Sequence, residues 1–109
     1  MTDNELRVRL ATALGWRPLE VAGQWHITRE YGGKSEFMPE WPLSVDACIR
    51  DLIPACREKG MTEWTLIEDH PNCFQATILT PASAFFGDSC ETPARAFAEA
   101  CLSCLEAGE

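Results

Sequence analysis

The chain has 109 residues, 46% of them hydrophobic and 24% charged, which suits one compact domain over 1–109 and is too little for two. Seventeen acids against nine bases leave it at −8, which argues against direct nucleic-acid binding, because phosphate contacts need clustered lysine and arginine. No run approaches the roughly 18 apolar residues of a membrane span, and Met1–Glu5 lacks the basic start and apolar stretch of an export signal, so the expected setting is cytoplasmic and away from membranes.

Thr2-Asp3-Asn4-Glu5 has the form of a capping box, a hydroxyl at the cap and a carboxylate three residues on. Leu6, Leu10, Ala13 and Leu14 then recur on one helical face, and Gly15 stands where a left-handed cap residue belongs, with Trp16 as its apolar contact. From Arg17 to Leu43 the pattern thins. Trp25–Arg29 has strand-type residues, Tyr31-Gly32-Gly33-Lys34 turns the chain, and Met38-Pro39-Glu40-Trp41-Pro42 reads as an irregular loop punctuated by proline.

Ser44 caps a second helix whose apolar stripe is Val45, Cys48, Ile49, Leu52, Ile53 and Cys56, closed by Gly60. Pro54 lies inside it and predicts a kink or break at a cost of roughly 3 kcal/mol. Thr62–Glu68 and Cys73–Leu79 alternate imperfectly around His70-Pro71-Asn72 and predict an antiparallel hairpin. Residues 80–91 read as loop or irregular edge. Thr92-Pro93 then opens a third helix with Ala94, Phe97, Ala98, Cys101, Leu102 and Leu105 on its buried side. The order of elements predicts an α+β fold: a small antiparallel sheet of three to four strands packed with three helices, an α/β sandwich. An exposed strand edge at Cys73–Leu79 or Trp25–Arg29 could pair two copies into a symmetric homodimer.

Three stretches, taken in order, resemble the phage ABA-sandwich domain family, small proteins encoded by bacteriophages and prophages. They are the capped first helix ending in Leu14-Gly15-Trp16, the proline–tryptophan loop running into Ser44-Val45-Asp46, and the closing Glu91-Thr92-Pro93-Ala94-Arg95-Ala96-Phe97. Where the family commonly has Tyr-Ser-Thr-Asp, this chain has Leu43-Ser44-Val45-Asp46, so the tyrosine and threonine are missing. The resemblance implies an α/β sandwich and a phage or prophage setting, and it carries over no catalytic residues.

The six cysteines, Cys48, Cys56, Cys73, Cys90, Cys101 and Cys104, are expected to be mostly reduced thiols acting as small hydrophobes in a reducing cytosol. Cys101 and Cys104 form a Cys-x-x-Cys, but inside a helix, about two turns from the terminus where a dipole would lower a thiol pKa, and without a second pair to complete a zinc site. His70 lies beside Glu68 and Asp69, yet no nucleophile at useful spacing completes a catalytic set. No catalytic residue, metal ligand or cofactor is therefore assigned.

Charge is the most discriminating feature. Residues 1–57 carry seven bases and eight acids, whereas residues 58–109 carry two bases, Lys59 and Arg95, against nine acids. The expected partner-binding set is Glu63, Glu68, Asp69, Asp88, Glu91, Glu99 and Glu106 with Trp41, whose loop position between Glu40 and Pro42 offers an exposed indole. An acidic surface without its own counter-charges attracts a basic partner. The expected function is stoichiometric inhibition of a basic, nucleic-acid-handling host protein, as anti-CRISPR and other anti-defence proteins act. The alternative is a nucleotide-binding module using Arg29, Arg50 and Arg57, with a redox or hydrolytic enzyme third.

Overall fold

A computed structural model describes residues 1–29 and 35–107, so the turn expected at Tyr31–Lys34 lies outside the described residues. In chain order the elements are helix α1 (Asp3–Ala13), strands β1 (Arg17–Val21), β2 (Gln24–Thr28) and β3 (Glu36–Phe37), a 3₁₀ turn (Trp41–Leu43), helix α2 (Val45–Glu58), strands β4 (Glu63–His70), β5 (Cys73–Leu79) and β6 (Ala84–Ser89), and helix α3 (Pro93–Ala107). The class is α+β. Two three-stranded antiparallel sheets, β1-β2-β3 and β4-β5-β6, replace the single sheet expected.

Each helix starts at a hydroxyl. Thr2 Oγ1 accepts from Glu5 N at 3.2 Å and Ser44 Oγ from Ala47 N at 3.1 Å. Thr92 Oγ1 accepts from Arg95 N at 3.0 Å and donates to Pro42 O at 2.6 Å, which ties α3 to the 3₁₀ turn. Gly60, at φ +99°, closes α2 while Met61 N reaches back to Cys56 O at 3.0 Å. Pro54 does not break α2, which runs through it. Its side chain is exposed, so the carbonyl of Arg50, which loses its partner, sits on the side of the helix open to water.

α3 is the centre of the molecule. Ala96, Phe97, Ala98, Ala100, Cys101 and Leu105 are all at most 2% exposed. One side of α3 meets β4–β6, and its other contacts are α1, α2 and the 3₁₀ turn. Trp64 of β4 lies against Phe97 with ring centroids 4.8 Å apart. Gly87 of β6 is where sheet and helix come closest: a Cβ there would stand 2.0 Å from Ala96 O and 2.6 Å from Ala100 N. Only glycine permits that approach.

The segment 80–91, expected as loop, contains β6. Thr80 Oγ1 accepts from Ser83 N at 3.0 Å, and this tight turn sends the chain back along β5, pairing Ala84 with Leu79 through Ser89 with Phe74. The β4–β5 hairpin turns on Pro71 and Asn72, the latter at φ +63°, which asparagine tolerates. Cys73 and Cys90 continue the β5–β6 register by one step and are joined in a disulfide, so these two cysteines are not the free thiols expected. Cross-strand neighbours bring their Cβ atoms within bridging distance, which sequence spacing does not reveal. The strands offered as pairing edges are also corrected: β5 (Cys73–Leu79) and β2 (Gln24–Thr28, most of the Trp25–Arg29 segment) are each the middle strand of their sheet.

Candidate interaction surface

The buried side chains offer little for chemistry. Cys48, Cys56, Cys101 and Cys104 are free thiols in the core, each at most 2% exposed. Burial, reinforced by Asp51, pushes the Cys48 thiol up to about 12, and burial does the same for Cys104. Burial also raises Cys101 well above its ordinary value. Cys56 is lowered by hydrogen bonds from the thiols of Cys101 and Cys104, but its sulfur has no exposed surface. Thiols kept protonated or enclosed in this way behave as core hydrophobes. Among the described residues no group of three His, Cys, Asp or Glu is placed to hold a metal ion. His70 lies in the exposed end of the β4–β5 hairpin, 3.7 Å from Asp69.

The most coherent exposed surface is the outer face of β4–β6. Alternation along the strands sends Trp64, Leu66, Phe74, Ala76, Ile78, Phe85 and Gly87 toward α3 and leaves the intervening residues outside. Register aligns them in rows: Thr65, Thr77 and Phe86 in one, Ile67, Gln75 and Asp88 in the next. Ile67 is 51% and Phe86 56% exposed. Glu63 begins this face. At the far end of β4, Glu68 shares the inner side with its partner Phe74 yet is exposed, and His70 pairs with Cys73, leaving Asp69 as the extra residue of a bulge.

The eight residues expected to bind a partner therefore separate. Glu63, Glu68 and Asp88 belong to this sheet and form no ion pair with any described residue, while Asp69 beside them meets only His70. The other acids have arginine partners. Glu91 and Glu99 lie 3.9 and 3.2 Å from Arg95, which also pairs with Asp3. Glu106 pairs with Arg9 of α1. Trp41 is corrected outright: it is fully buried, its indole Nε1 donates to Asp51 Oδ2 at 3.1 Å, and its ring meets Trp16 at 5.9 Å between centroids. A tryptophan between a glutamate and a proline is indistinguishable in sequence from an exposed one; the carboxylate that satisfies it lies a full helix turn and more into α2. The outer-face residues not expected to contribute are Thr65, Ile67, Gln75, Thr77 and Phe86. For β4 the signal was present, as polar and apolar residues alternate from Glu63 to Leu66 before Ile67 breaks the pattern; for β6 the adjacent Phe85, Phe86 and Gly87 obscured it.

The residues of the nucleotide alternative are also divided. Arg29 and Arg50 line a cleft of about 750 Å³ with Glu36, Glu40 and Asp51. Arg50 holds Asp51 through Nε and Nη2 at 3.0 and 2.9 Å, and Arg29 stacks on Trp16 at 4.4 Å while pairing with Glu36 and Asp51. Two guanidiniums facing three carboxylates do not make an anion site. Arg57 lies in the last turn of α2 and does not line this cleft. No family model, curated protein or solved structure matches the chain.

Proposed function

We propose that this chain is a stoichiometric binding protein that covers a basic surface of a partner protein with the outer face of β4–β6. The observation that carries the reading is the combination found there: Glu63 and Asp88, without counter-cations among the described residues, border exposed Ile67 and Phe86 on a sheet packed against α3, and Glu68 and Asp69 at the end of β4 have no arginine or lysine against them either. Unpaired carboxylates supply long-range attraction and selectivity, and the apolar side chains supply area to be dried on contact. The resemblance to phage ABA-sandwich proteins favours a host protein as partner, and a nucleic-acid-handling one presents the required lysine and arginine groove. In such a groove the carboxylates would stand where phosphates otherwise lie.

The test compares host proteins captured from bacterial lysate by the native chain with those captured by a Phe86→Ala/Asp88→Lys variant, at low and high salt. A basic protein held by the native chain, released by salt and weakened at least about tenfold by the variant, supports the reading. Capture that is indifferent to both salt and variant overturns it.

A further inference from the structure

β4 is the longest strand of the molecule and an outer one: β5 pairs with one of its edges, and no described residue pairs with the other. Every second residue of such a strand points its N–H and C=O away from the sheet, where only water or an incoming strand can satisfy them. The remaining outer strands are poorer templates. β1 contains Pro18, which has no N–H to give, and β3 spans two residues. β6 is shorter and carries Gly87. The open run of β4 extends from Glu63 to Glu68, about 20 Å, before the bulge at Asp69 ends the regular register.

Its side chains select what can pair there. Glu63 and Glu68 sit at the two ends of the run with Asp69 just beyond, all exposed and none with an arginine or lysine against it. Two copies of this chain joined antiparallel along β4 would bring the Glu63 end of one beside the Glu68–Asp69 end of the other, acids gathered along one seam with no arginine or lysine between them. A second copy is therefore disfavoured, and a strand bearing lysine or arginine is favoured.

We propose that the open edge of β4 is a strand-addition site for an extended basic segment of a partner protein, which would lengthen β4-β5-β6 to four strands. The proposal rests on the acidic-surface reading above and specifies its mode: main-chain hydrogen bonds supply affinity, and the carboxylates at either end supply the preference for a basic segment.

The experiment uses the full chain and three synthetic heptapeptides. One alternates lysine with valine, one is its glutamate counterpart, and the third is the lysine peptide with alternate backbone nitrogens methylated. Affinity is measured by fluorescence anisotropy and β4 amide protection by hydrogen exchange. The proposal expects the lysine peptide to bind and to protect alternate amides between Glu63 and Glu68. It expects the methylated peptide, which has lost donors on one edge, to bind at least about tenfold more weakly. Reversing both charges (Glu63→Lys/Glu68→Lys), at exposed sites that leave the core untouched, should exchange the preference for the glutamate peptide. If methylation has no effect and no β4 amide gains protection while binding remains salt-sensitive, strand addition is wrong and the acidic-face reading survives. If lysine and glutamate peptides are treated alike, both fall.

Discussion

The two sheets have the same number of strands and the same antiparallel pairing, yet they are held by different means. β4–β6 presents an almost unbroken apolar inner face to α3, from Trp64 against Phe97 to Gly87 against the α3 backbone. In β1–β3 only Ile27 is fully buried among the described strand residues, and β3 is two residues long. Polar groups do the fastening there. Arg7, 9% exposed, donates to Met38 O at 2.7 Å and Pro39 O at 3.1 Å, just beyond β3, while Arg29 at the end of β2 reaches Glu36 and Asp51. Dense apolar alternation positions a sheet by burial. Where it is sparse, groups with several donors in fixed geometry must set the position. The first kind of sheet is a platform set by packing, and the second depends on a few side chains.

The sharpest break should come on the platform side. Gly87→Ala forces backbone apart along α3, because the added carbon meets Ala96 O and Ala100 N at 2.0 and 2.6 Å. The expected loss is about 3 kcal/mol or more, read from the denaturant midpoint. A loss under about 1 kcal/mol would mean that α3 and β6 do not approach as closely as described. On the other side, Asp51→Ala removes the acceptor of the buried Trp41 indole together with the anchor of Arg29 and Arg50. It should cost about 2 kcal/mol, the desolvation of one stranded donor. Asp51→Asn, which keeps an oxygen for the indole, should recover part of this, and equal losses for both variants would assign the stability to charge instead.

What could be read from sequence divides along the same line. Thr2, Ser44 and Thr92 announce the three helices, because caps and apolar stripes are local. The β4–β5 hairpin was legible from alternation around Pro71 and Asn72. β1 was not, since Pro18 interrupts it and its turn, Ala22-Gly23, lacks the asparagine that usually marks one. The candidate surface was half legible: charge counting placed the acids in the later half of the chain, but which of them stay unpaired depends on Arg9 reaching Glu106, 97 residues away, and on Arg95 reaching Asp3, 92 away. Partnerships of that span are products of the fold and leave no local pattern. Trp41 and the Cys73–Cys90 bridge were misjudged for the same reason.

That bridge closes the end of the platform next to α3, where Ser89 Oγ accepts from Glu91 N at 3.0 Å. Reduction, or Cys73→Ser/Cys90→Ser, frees a loop whose closure is worth roughly 3 kcal/mol in the chain-entropy description, less whatever order the unfolded chain retains. The expected observation is a lower denaturation midpoint under reductant for the native chain and none for the double variant. Mass mapping should find one disulfide and four slowly alkylated thiols, as burial of Cys48, Cys56, Cys101 and Cys104 requires. Rapid alkylation of all six would remove the bridge from the account.

The smallest effect tests the weaker sheet most directly. Ala22 is held at φ +52° and Gly23 at +78°, between Val21 and Gln24, the arrangement of a two-residue hairpin turn with both residues left-handed. Glycine adopts this freely, but alanine does so against its own Cβ. Asparagine tolerates the conformation better, so Ala22→Asn should stabilise the hairpin by about 0.5–1 kcal/mol. If β1–β2 opens locally before the rest of the chain unfolds, as its thin burial suggests, the gain will appear as slower amide exchange across Arg17–Thr28 with little change in the global midpoint. If the two sheets unfold together, the midpoint will rise by the full amount instead. The two results separate a platform carrying a loosely attached sheet from a single cooperative unit. In the first case β4–β6 with α3 keeps its outer face intact while the other sheet opens.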